Sequence, residues 1–70
     1  MKIAIIGTGR VAAALGRQWA ARGHIITFAS REPRGEKAAA LVEAAGANAS
    51  AATVAQAVSR SSIVVLATPF

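Results

Sequence analysis

Lys2-Ile3-Ala4-Ile5-Ile6-Gly7-Thr8-Gly9-Arg10-Val11-Ala12 is the stretch whose reading decides the architecture. Its first five residues are apolar after Lys2 and rich in β-branched side chains, the pattern of a strand buried on both faces in a parallel sheet. The run breaks at Gly7. From Arg10 to Arg22 the apolar positions Val11, Leu15 and Trp19 recur every fourth residue, with Arg10, Arg17, Gln18 and Arg22 on the polar side. That is the periodicity of an amphipathic helix, and Gly23 supplies its stop signal.

The rest of the chain repeats the alternation. Ile25-Ile26-Thr27-Phe28 reads as a second strand, reached through the brief Gly23-His24 connection that helix-to-strand turns favour. Ser30 to Gly35 contains a proline and a glycine and so forms a loop, after which Glu36 to Ala45 reads as a helix closed by Gly46. Ala47-Asn48-Ala49 has weak strand propensity and is assigned as the third strand because the alternation needs one there. Ser50 is then the expected cap of a short helix over Ala51 to Val58. Ile63-Val64-Val65-Leu66-Ala67 is the clearest strand of all, and Pro69 ends it.

Composition narrows the function classes. The hydrophobic fraction is 54%, but half of those residues are alanine, so the apolar area available to a core is small. With no cysteine, a disulfide scaffold and a cysteine-ligated metal site are excluded. Apolar runs of about five residues fall far short of the ~18 that cross a bilayer, and the first run ends too early for a secretory signal. A cytoplasmic chain without membrane association is the expectation. The net charge of +5 is spread over Lys2, Arg10, Arg17, Arg22, Arg31, Arg34, Lys37 and Arg60, without the dense run or interleaved aromatics that nucleic acid binding uses, so no nucleic acid partner is expected.

Gly7-Thr8-Gly9-Arg10-Val11-Ala12 has the form G-x-G-x-x-A, and it lies between a buried strand and an amphipathic helix. Gly7 permits the tight turn, Gly9 lets the backbone approach a diphosphate, and Ala12 lets the helix pack close to the sheet. The diphosphate sits where unpaired helix N–H groups and the positive dipole end favour negative charge. A unit of this kind that holds NAD usually places a carboxylate about 20 residues after the glycines. Here Ala29-Ser30-Arg31 stands at that point. A hydroxyl and a guanidinium suit the 2'-phosphate of NADP, with Arg34 and Lys37 within reach of the same anion. Glu32 is the competing reading, since a strand ending one residue later would bring its carboxylate to the ribose. The fold class is therefore α/β, a Rossmann-type parallel sheet with strand order 3-2-1-4 and right-handed crossovers, ending after strand four.

With those residues in view, the chain resembles the N-terminal domain of NADP-dependent coenzyme F-420 (deazaflavin) oxidoreductases over all seventy residues. The similarity rests on Met1-Lys2-Ile3-Ala4-Ile5-Ile6-Gly7-Thr8-Gly9, the Gly23-His24 turn, the Ser30-Arg31 pair and Val65-Leu66-Ala67-Thr68-Pro69. Pyrroline-5-carboxylate reductases and hydroxyacid dehydrogenases of the 6-phosphogluconate type look similar in the same region. Arg10-Val11-Ala12 differs from the smaller or glycine-containing versions in many relatives, and Ser61-Ser62 replaces a frequent Ala-Asp. The resemblance implies that Thr8, Ser30 and Arg31 hold the 2'-phosphate end of NADP, with Arg34 or Lys37 standing in for a further basic residue. It also implies that Thr68-Pro69 lies along the nicotinamide side.

The cofactor-binding residues expected from both lines of reasoning are Gly7, Thr8, Gly9, Arg10, Val11, Ser30, Arg31, Arg34, Ala67, Thr68 and Pro69. No catalytic or metal-ligating residue is expected. His24 reads as a turn residue, Trp19 as a core residue on the stripe with Val11 and Leu15, and three glutamates with no aspartate offer no carboxylate pair. On this reading residues 1–70 are the first part of an NADP-binding domain, inactive alone, within an oxidoreductase whose acceptor is deazaflavin and whose assembly as a homo-oligomer stays open. A non-catalytic NADP sensor and an interaction protein with a structural glycine loop are the alternatives.

Overall fold

The computed structural model describes residues 1–7 and 9–67. Strands β1 (Lys2–Ile6), β2 (Ile25–Ala29), β3 (Ala49–Ala52) and β4 (Ile63–Leu66) alternate with helices α1 (Arg10–Ala21), α2 (Glu36–Ala45) and α3 (Val54–Arg60). The sheet has order β3-β2-β1-β4, and every pair is parallel. This is the Rossmann-type α/β arrangement expected from the sequence.

Parallel pairing fixes the faces by simple alternation. Ile3 and Ile5 of β1 and Ile26 and Phe28 of β2 point to one side, where Ala12 and Ala20 of α1 and Leu41 of α2 complete the cluster. Ala4, Ile6 and Ala29 point to the other and pack with Ala57 of α3. The first cluster holds the three largest fully buried side chains, Phe28, Ile5 and Ile26. Burial of each contributes about 1.5 to 3 kcal/mol, so this face carries most of the apolar stabilisation.

The stripe by which α1 meets the sheet differs from the one read in the sequence. Its buried residues are Ala12, Gly16 and Ala20, while Val11 is 59% exposed and Leu15 and Trp19 are half-buried against the cluster. The reason is proximity. A Cβ built at Gly16 would stand 2.3 Å from Cζ of Phe28, so only a residue without a side chain fits between helix and ring. The larger side chains flank this contact line.

The third strand and third helix are displaced from their expected positions. Ala49–Ala52, not Ala47-Asn48-Ala49, forms β3, because residues 49 to 52 pair in register with Ile26 to Ala29. Ser50 thus lies within the strand and caps nothing. Thr53 caps α3 instead: Gln56 N–H donates to Thr53 Oγ1 and Thr53 N–H donates to Gln56 Oε1, both at 3.3 Å. This reciprocal capping box satisfies two donors that the helix start would otherwise leave free. The strand and helix ends elsewhere fall within one residue of expectation, and Gly23 and Gly46 close α1 and α2 as read.

Two substitutions test this account of the packing. Gly16→Ala is expected to destabilise the chain by about 1 to 3 kcal/mol through overpacking, with partial recovery when Phe28→Leu is added, as read by urea denaturation. An unchanged midpoint for Gly16→Ala would show that α1 and β2 are not held in this close approach.

Candidate functional site

Three of the chain's turns converge at the carboxyl ends of the parallel strands. The first follows β1, where Gly7 takes φ 136°, a region that side chains avoid, and the chain swings into α1. The second follows β2. Ser30 N–H donates to Ala52 O of the neighbouring strand at 3.0 Å, holding this loop to the end of the sheet. Ser30 Oγ then accepts Glu32 N–H at 3.1 Å, and Gly35 N–H donates to Glu32 O at 2.9 Å. These local bonds fold Ser30 to Gly35 into a tight loop that delivers the chain to α2. The third is the β3-to-α3 connection, which places Val54.

Between them lies a cleft of about 960 Å³ lined by Ile6, Gly7, Ala29, Ser30, Arg31, Glu32, Gly35, Glu36, Lys37 and Val54. Its size is at the upper end of the ~300 to 1,000 Å³ of small-molecule sites. A second, shallower groove of about 400 Å³ runs between α1 and α2, lined by Gly9, Arg10, Ala13, Lys37, Ala40, Leu41 and Ala44. Lys37 borders both.

Helix starts differ in a way that matters for anions. No side chain caps α1 or α2, which begin at Gly9 and Gly35, whereas α3 caps itself. The first turn of α1 contains no acidic residue, so its N–H groups and positive dipole end are available to a negative ligand. A Cβ added at Gly9 would meet no atom within 4 Å. Among the described residues, nothing therefore requires glycine there.

The expected site residues distribute as follows. Gly7, Ser30 and Arg31 line the cleft and Gly9 and Arg10 line the groove. Ala67 lies at the end of β4, with its N–H donating to Ile6 O at 2.9 Å and its side chain buried in the core. Val11 and Arg34 line neither cavity. Thr8, Thr68 and Pro69 lie outside the described residues. Val54 and Glu36 were not singled out in the sequence. The T-x-x-Q capping signature at Thr53 would have set the helix start at Val54 and revealed it. Among the described residues, no group of three or more histidines or carboxylates is placed to hold a metal, and no helix is long and apolar enough to cross a membrane.

Residues 2–70 match the model of the family described as NADP oxidoreductase coenzyme F420-dependent. The chain belongs to this family. It is thus an NADP-dependent oxidoreductase module with a Rossmann-type sheet. No curated protein and no solved structure gives a match.

The two glycines of the first turn are held by different constraints. Gly7 is dictated by backbone conformation, so Gly7→Ala is expected to cost about 1 to 3 kcal/mol of stability. Gly9 has an ordinary φ of −86° and open space beside it. Gly9→Ala should cost no more than about 1 kcal/mol yet lower dinucleotide affinity by at least roughly tenfold, because a methyl would stand where the diphosphate approaches. Thermal unfolding and calorimetric titration of both variants distinguish the two; equal effects on stability would refute the separation.

Proposed function

We propose that this chain binds NADP(H) across the carboxyl ends of its strands and serves hydride transfer between that cofactor and a deazaflavin, coenzyme F-420. The observation that carries the reading is the convergence of Ser30 and Arg31 with the turn after β1 in one cleft. The residues fit the cofactor. Open space at Gly9 and an uncapped α1 start suit a diphosphate, and a cleft with Ile6, Ala29 and Val54 among its walls suits an adenosine.

Each group has a physical task. Main-chain N–H groups at the start of α1 bind the diphosphate without side-chain help. Ser30 Oγ already accepts from Glu32 N–H, which leaves its hydroxyl hydrogen to donate to the 2'-phosphate. Arg31 adds charge-assisted hydrogen bonds worth roughly 1.5 to 3 kcal/mol, a ten- to hundredfold preference for NADP. Glu32 lies in the same cleft, but its main chain is engaged in the loop turn on both sides. The residue is solvent-exposed, and its carboxylate lies toward Gly35, with Oε2 3.4 Å from where a Cβ on that glycine would stand. When bound, nicotinamide supplies the hydride; the protein holds and orients it.

Calorimetric titration with NADP⁺ and NAD⁺ is the direct test. The unaltered chain should prefer NADP⁺, and Arg31→Asp should reverse the preference by roughly ten- to hundredfold in the ratio; an unchanged ratio would remove Arg31 from the 2'-phosphate. The acceptor is tested by turnover. NADPH oxidation is expected with the deazaflavin and not with pyrroline-5-carboxylate or a keto acid, and the opposite result would replace the acceptor while leaving the cofactor in place.

A further inference from the structure

We draw no further inference here: the strongest candidate, the apolar surface of the outer strand β4, where Ile63, Val64 and Leu66 are exposed, carries nothing because nothing among the described residues shows what covers it.

Discussion

The contact between Gly16 of α1 and the ring of Phe28 on β2 sets the geometry on which the site depends. Phe28 is fully buried, and the space above its ring admits no Cβ. Helix α1 therefore lies closer to the sheet than an ordinary apolar stripe would allow, with Ala12 and Ala20 continuing the same line of small residues. The start of α1 is fixed at the end of β1 by the same approach. A short turn through Gly7 and Gly9 is then enough to connect them, and the free N–H groups of the helix come to the sheet's edge rather than out into solvent.

Small residues have a second consequence. Alanine is so frequent that most of the core's apolar area comes from a few positions on β1 and β2. On the α3 side the partners are Ala4, Ala29 and Ala57 with Ile6, and β4 leaves Ile63, Val64 and Leu66 exposed. The ordered centre of the molecule is thus the β1–β2 pair and the two helices that cover it. The cleft is assembled on that centre: Ile6 and Gly7 from the first strand and turn, Ala29 to Glu32 and Gly35 from the second strand and its loop.

The elements legible in the sequence were those whose signal is local and strong. Strands β1 and β4 are β-branched runs, Gly23 and Gly46 stop helices, and Ser30-Arg31 stands where a strand end and a known spacing put it. The misread elements have a different physical origin. Alanine and serine carry little strand propensity, so β3 exists because four residues pair with Ile26 to Ala29, a contact between segments distant in sequence. The α1 stripe was misread because periodicity rules favour large apolar residues, while here the depth of a neighbouring aromatic ring selects the small ones. Thr53-x-x-Gln56 was readable as a helix start; the alternation imposed on Ala47-Asn48-Ala49 obscured it.

On the proposed NADP reading, the loop between β2 and α2 bears on cofactor choice through its shape. Residues 30 to 35 are held at one end by the Ser30-to-Ala52 bond and at the other by the Gly35 turn, with Ser30 Oγ bridging to Glu32 between them. A cation at Arg31 and one at Lys37 are therefore separated by a loop whose shape is fixed by its own hydrogen bonds, not by either charge. An added Cβ at Gly35 would stand 3.1 Å from Glu32 O, so the loop tolerates little bulk at the point where it enters α2. Its geometry is set by its own hydrogen bonds, so on the proposed reading an anion bound there would not have to supply the ordering of the loop. Selectivity between two cofactors that differ by one phosphate can then rest on a few charges, because the backbone that carries them is already arranged.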